Sequence, residues 1–201
     1  MRKFLPAAVL AVLVAAGALA SPAGAASGGG CQLQGTASFT PPLTNADQSF
    51  TYGFTGSLSN CQASTPAPAS GTVEAGQVVT DPTGERFQEP VPSGQGSCAN
   101  GTTSGTAIAN WADGTTTVIS YSTTSAAAAV HLEGTVVPSV TLPAINPAVG
   151  QPTSKTITTT RFAGDSAQGA LGFQPPDPTA CGGAGVSSAG ISGIVGLGSQ
   201  Q

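Results

Sequence analysis

Charge is what this chain most lacks. Only 7% of its 201 residues are Asp, Glu, Lys or Arg. Beyond Arg2 and Lys3 at the N-terminus, three bases (Arg86, Lys155 and Arg161) stand against nine acids, a net charge of −6. Nucleic-acid binding needs clustered Lys and Arg to neutralise phosphates, and attraction to an anionic membrane surface needs the same. Neither kind of partner is expected. Histidine is as scarce: His131 stands alone, and no Cys-x-x-Cys spacing accompanies it, so the spacing of a zinc site is missing and no metal or other cofactor is expected. With one Trp and two Tyr, the chain has few rings to line a polysaccharide cleft. Helical periodicity is nearly absent, and the one long apolar run lies at the N-terminus.

That run has a purpose. Arg2 and Lys3 precede an apolar stretch from Leu5 to Leu19, and Ala23-Gly24-Ala25 supplies small residues for cleavage. Residues 1–26 therefore read as a secretory signal peptide, and 27–201 as a single exported, extracellular domain with no membrane insertion after cleavage. Cys31 lies too far beyond the apolar run for a lipoprotein, and Leu142-Pro143-Ala144-Ile145-Asn146 lacks the Thr-Gly of a wall-sorting signal. Four cysteines in an exported chain, Cys31, Cys61, Cys98 and Cys181, imply two disulfides. Three pairings are possible, and order along the chain favours Cys31–Cys61 with Cys98–Cys181.

Alternation of apolar and polar residues dominates the rest. Leu33, Ala37 and Phe39 oppose Gln32, Gln34, Thr36 and Ser38; Phe50, Tyr52, Phe54 and Leu58 oppose Thr51, Thr55, Ser57 and Ser59. These are half-buried strands. Because directly opposite residues share a face, the odd set of the first must pair with the even set of the second. Cys31 then meets residue 60 or 62 rather than Cys61. A bond between these cysteines requires a bulge, a position past a strand end, or strands in two facing sheets. Further strands are expected from 73 to 79 and at 104–112, 115–123, 128–137 and 155–163, with Gly-rich candidates at 168–174 and 186–197. Residues 81–97 read as the longest polar loop. Eight or nine short strands favour an all-β fold, a single β-sandwich that is immunoglobulin-like in the broad sense.

The segment 105–121 holds the only tryptophan, Trp111, with Asp113 close behind it. Asp113-Gly114 between alternating segments predicts a two-residue type I′ hairpin. That register pairs Ala109 with Val118 and Ile108 with Ile119, placing Ile108, Ile119 and Tyr121 on one face and Trp111, Ala109 and Val118 on the other. Trp111 and Asp113 then serve the hairpin rather than a site.

No catalytic constellation emerges. His131 and Glu133 share the polar side of a strand and read as an ordinary surface pair. Gly164-Asp165-Ser166 resembles the nucleophile segment of trypsin-like proteases but lacks the glycines after the serine and the required order of His, Asp and Ser. Glu85 with Glu89 is the least arbitrary carboxylate pair for glycoside hydrolysis. Asp81 with the same two acids could offer oxygens to calcium, although ligand spacing is missing. Asn100-Gly101-Thr102 matches a glycosylation sequon.

The Ala-rich leader, Cys31-Gln-Leu-Gln-Gly-Thr-Ala-Ser-Phe, Leu58-Ser-Asn-Cys61 and Trp111-Ala-Asp-Gly114 resemble a group of uncharacterised exported β-rich proteins of high-GC Gram-positive bacteria. That resemblance implies export and a β fold and supplies no function. The chain also resembles the enediyne-binding apoproteins in being secreted, acidic and rich in Ala, Gly and Thr, but its cysteine gaps are far longer than theirs. The expectation is a secreted, non-catalytic binding or surface-interaction module, its ligand unknown and its partner an envelope or extracellular polysaccharide or a protein. Glu85, Arg86 and Glu89 form its candidate binding loop. The alternatives are a carboxylate-dependent polysaccharide hydrolase, marked by an acid-lined cleft, and a small-molecule carrier, marked by a deep apolar cavity.

Overall fold

The alternation that begins near Gln32 runs around a closed ring. The computed structural model describes residues 29–63 and 68–198; the expected signal peptide lies outside them. The ring is built from β1 (Gly29–Leu43), β2 (Gln48–Ala63), β3 (Gly71–Ala75), β6 (Ser93–Gly96), β7 (Asn100–Trp111), β8 (Thr116–Ala126), β9 (Ala129–Val137), β12 (Ser166–Gln174) and β13 (Val186–Gly198). Each pairs antiparallel with its neighbours, and β1 pairs with both β2 and β13. The short β3 and β6 fill one position of the wall, since both pair with β2 on one side and β7 on the other. The result is an eight-stranded barrel. The expected two-layer, immunoglobulin-like sandwich is thereby corrected. Local alternation is the same in a sandwich and a barrel, and what separates them is the last pairing, β1 with β13.

The parity argument is met by its first option. Leu33 faces Leu58 and Ala37 faces Phe54, as the odd and even sets require. The register then slips between Gly30 and Gln32, where Asn60 adopts a positive φ of 49°, a conformation Asn tolerates better than most residues. This bulge turns Cys61 inward to bond Cys31, with Cα atoms 4.1 Å apart. The second disulfide, Cys98–Cys181, joins the segment before β7 to the short 3-10 turn Ala180–Gly182. Its backbone holds the tip of the β1–β2 hairpin: Cys98 N donates to Thr44 O at 2.8 Å, and Asn45 N donates to Cys181 O at 3.1 Å. Two disulfides fit an oxidising, extracellular environment. Among the described residues no helix is long and apolar enough to cross a membrane.

Outside the barrel, two hairpins pack on one stretch of wall. They are β4 (Val78–Thr80) with β5 (Arg86–Gln88), and β10 (Ser139–Pro143) with β11 (Ser154–Thr158). They bury Phe87 and Leu142 against Ile108, with Val79, Val140 and Ile157 alongside. Val118, 0% exposed, faces the same side. The expected loop 81–97 is therefore partly strand, supplying β5 and β6. Beyond the strand expected at 155–163, which stops at Thr158, hydroxyls take over the pairing. Thr159 Oγ1 accepts from Val118 N at 3.0 Å, and Thr160 Oγ1 accepts from Thr116 N at 2.9 Å.

The 105–121 hairpin departs from its expected register by one residue. Its ladder pairs Ile108 with Val118 and Ala107 with Ile119. The turn holds three residues, Ala112-Asp113-Gly114: Gly114 N donates to Trp111 O, and Trp111 N donates to Thr115 O, both at 2.9 Å. Gly114 alone takes a positive φ, 80°. Asp113 spans the bend instead, its Oδ1 accepting from Thr115 N at 3.0 Å and Thr115 Oγ1 at 2.6 Å. One residue of slip moves a strand's side chains to the opposite face. Ile108 and Val118 therefore share the outer wall, while Trp111, Ala109, Ile119 and Tyr121 face inward.

The two cystine loops differ in length, 30 against 83 residues of separation, and do not overlap. In the chain-entropy picture they restrict the unfolded chain by about 3–4 and about 4–5 kcal/mol. Urea unfolding is expected to show the larger loss for Cys98→Ala with Cys181→Ala, and the two losses are expected to add. A larger loss at Cys31–Cys61 would mean that native packing around the bulge outweighs chain entropy.

Candidate functional site

An eight-stranded barrel is wide enough for its interior either to be filled by side chains or to hold one small ligand. Here the inward positions are unusually small on one side. Along β7 they run Gly101, Thr103, Gly105, Ala107, Ala109 before reaching Trp111; Ala167 and Gly169 follow on β12, and Gly134 on β9. Several rings pack close against glycines of the wall. A Cβ on Gly35 or Gly56 would meet the Phe54 ring at 2.5 or 2.8 Å, so both glycines make room for it. With small residues inward and rings against the wall, a cavity of about 190 Å³ remains along the axis. Leu33, Leu58, Leu132, Leu171, Ile191 and Val195 give it an aliphatic lining, and none of its lining residues is charged.

Aromatic groups close in on both ends. Where β1 starts and β7 ends, Trp111 meets Phe162 edge-on, with centroids 5.6 Å apart. The indole Nε1 donates to Thr117 Oγ1 at 2.9 Å, and that hydroxyl donates to Arg161 O at 3.0 Å. Arg161 also bonds Asp113 Oδ2 through Nη2 at 2.6 Å. Phe162 reaches the barrel with a positive φ of 61°, unusual for so bulky a side chain. Asp165 N ties this turn by donating to Phe162 O at 3.1 Å. At the other end Phe39 gathers Phe50 and Phe173, with centroid distances of 5.8 and 6.0 Å, beside Leu43 and Val186 and next to Cys98–Cys181.

Six hydroxyl-bearing residues line the same cavity, and four of them form one row between these apolar groups. Tyr52 Oη lies 2.6 Å from Tyr121 Oη and 3.1 Å from Thr103 Oγ1, which lies 2.8 Å from Thr123 Oγ1. Gly105, opposite Tyr121, leaves space for this phenol: a Cβ there would stand 3.0 Å from Tyr121 Oη. Burial pushes the Tyr121 phenol far above its ordinary range, and the neighbouring Tyr52 adds to the effect. Burial also raises Tyr52, against the hydrogen bonds of Thr103 and Tyr121.

The residues expected to bind lie elsewhere. Glu85 and Arg86 sit on the β4–β5 hairpin, outside the barrel. Glu89 is 2% exposed; its Oε2 accepts from Gln77 N at 2.9 Å, and burial raises its carboxyl above the ordinary range. Asp81 is occupied with its own turn, Oδ1 accepting from Thr83 N, Thr83 Oγ1 and Glu85 N. Among the described residues no group of three or more His, Cys, Asp or Glu could hold a metal ion. His131 Nε2 and Glu133 Oε1 are 3.0 Å apart on the outer wall, both exposed. Ser166, of the protease-like segment, donates its hydroxyl to Gly198 O. An apolar cavity is the mark of the carrier alternative, but the residues that line it and the hydroxyl row are not among the expected site residues. Their sequence signal is the run of small residues at alternate positions from Gly101 to Ala109, opposite a strand bearing Tyr121 and Thr123. No protein-family model, curated protein or solved structure matches the chain.

Tyr52 and Tyr121 are the only tyrosines, so an alkaline absorbance titration reads this row directly. A phenol whose folded value is raised contributes stability that is fully present below the unfolded value and lost as pH rises above it. Phenolate absorbance is expected to stay absent through the ordinary tyrosine range, near pH 10, and then to appear together with unfolding. Free ionisation of either tyrosine near pH 10 in the folded protein would show the row to be open to water.

Proposed function

We propose that this barrel is a carrier that holds one small, neutral, apolar molecule in its lumen, in an extracellular setting. The observation that supports it is the cavity of about 190 Å³ lined mostly by apolar residues, with a few neutral polar ones and no charged one. Ligand sites have this general character, mostly apolar with a few placed polar groups. An apolar cavity of about 150 Å³ stays dry and takes up benzene, so this one suits a molecule of roughly ten non-hydrogen atoms. The surface-module reading rested on the lack of a catalytic constellation and on long loops carried by a disulfide-braced sandwich, the longest being 81–97 with Glu85, Arg86 and Glu89. With β5 and β6 drawn from that segment and Glu89 buried, support moves to the lumen. A hydrolase reading finds no carboxylate to rest on in the lumen, nor in the open surface groove beside Thr51 and Ser93.

Trp111 is the sole tryptophan and lines the cavity, so its emission reports on an occupant. Titration with butylbenzene, followed by Trp111 fluorescence and calorimetry, is expected to saturate at one molecule per chain. Ala167→Leu, which adds bulk at a buried lining position, is expected to weaken that binding at least about tenfold, about 1.4 kcal/mol. Absence of saturable binding for every alkylbenzene from benzene to butylbenzene would overturn the carrier reading.

A further inference from the structure

The hydroxyl row has a hydrogen too many. Each of Tyr121, Tyr52, Thr103 and Thr123 brings one hydroxyl hydrogen and two lone pairs. Their oxygens make three contacts in a line, Tyr121 to Tyr52, Tyr52 to Thr103 and Thr103 to Thr123. Whichever way each contact is oriented, three hydrogens are used and one is left. Both ends of the row line an apolar cavity. A donor without an acceptor is costly in such surroundings, whereas an unused lone pair is a smaller deficit.

The identity of the missing partner follows from the same count. An alcohol added to the row brings another hydrogen, so the extended row again has one left over, and a water brings two, leaving two. A carboxylate brings acceptors alone, but its charge would enter a lumen whose lining has no cation, and burying an unpaired charge is prohibitive. An oxygen that accepts without donating, on an otherwise apolar neutral molecule, completes the count. Resting on the carrier reading, we propose that the lumen selects a neutral carbonyl compound of roughly ten non-hydrogen atoms, such as a ketone, aldehyde or ester. Its oxygen takes the remaining hydrogen of the Tyr121–Tyr52–Thr103–Thr123 row. Burial, which holds both phenols protonated, keeps the row a donor across the physiological range.

Acetophenone and α-methylstyrene test this, because they match in shape and differ only in a carbonyl oxygen against a methylene. Both are titrated into the native protein and into a variant with Tyr52→Phe, Thr103→Val, Tyr121→Phe and Thr123→Val, which removes every hydroxyl of the row with little change of shape. The affinity ratio of ketone to alkene is expected to fall about tenfold in the variant, the scale of one buried hydrogen bond, while alkene binding persists. 1-Phenylethanol is expected to change less than the ketone, and benzoate to stay unbound. An unchanged ratio with both compounds bound overturns the carbonyl inference and leaves the carrier reading intact; failure of both to bind the native protein overturns the carrier reading itself. Should the variant not fold, the infrared carbonyl stretch of acetophenone bound to the native protein decides. A band lowered from its position in alkane solution supports the hydrogen bond, and an alkane-like band overturns it.

Discussion

The ladders that β1 makes on both its edges, with β2 and with β13, hold the sheet closed. Closure leaves the main sheet without an unpaired edge to recruit another chain. It also sorts side chains: with alternation of period two carried around a ring, one set of positions must face a common interior. Leu33 is the clearest case, since it faces Leu58 across one ladder and Gly193 across the other. The bulge at Asn60 and the slip after Ser38 are where this regularity is broken. The bulge brings a cystine inward; the slip lies by the aromatic cluster around Phe39.

Much of this was legible in the sequence. The strands beginning near Gln32 and Ser49 keep the faces their alternation assigns, and the parity of Cys31 against Cys61 pointed to a bulge as one of three solutions. Sandwich and barrel were not separable by the same means, because local alternation carries no information about whether the first strand meets the last. The 105–121 hairpin shows a sharper limit. Asp-Gly fits a two-residue or a three-residue turn, and the difference of one residue decides whether Trp111 shares a face with Val118 or with Tyr121. The site was hidden for that reason. Its polar members, Thr103 and Thr123, look like any of the many threonines until register places them inward beside Tyr52.

Two kinds of core coexist around one wall. The outer core, Phe87, Leu142 and Ile108, is tightly closed, with the first two at 1% and 0% exposure. The inner one leaves open space because its positions are occupied by glycine and alanine where leucine would fill it. Stability and capacity are thus separated: the hairpins outside and the cystines contribute to holding the wall, and the inner surface is free to be hollow. Charge follows the same division. The ion pair Arg161–Asp113 lies at the turn by the Trp111 end, and His131 with Glu133 on the outside, while the lining of the cavity is neutral throughout.

A wall without a seam has a kinetic meaning. β1 and β2 are joined by Cys31–Cys61, and the opposite end is stapled by Cys98–Cys181, so strands cannot part to admit or release an occupant without losing whole ladders. For the proposed occupant, the route left is at the ends, past Trp111 and Phe162 or past Phe39, Phe50 and Phe173. Were the lumen to hold the proposed molecule, its lifetime would depend on side-chain motion as well as on the strength of its contacts. A modest affinity and a long residence become compatible in the same barrel.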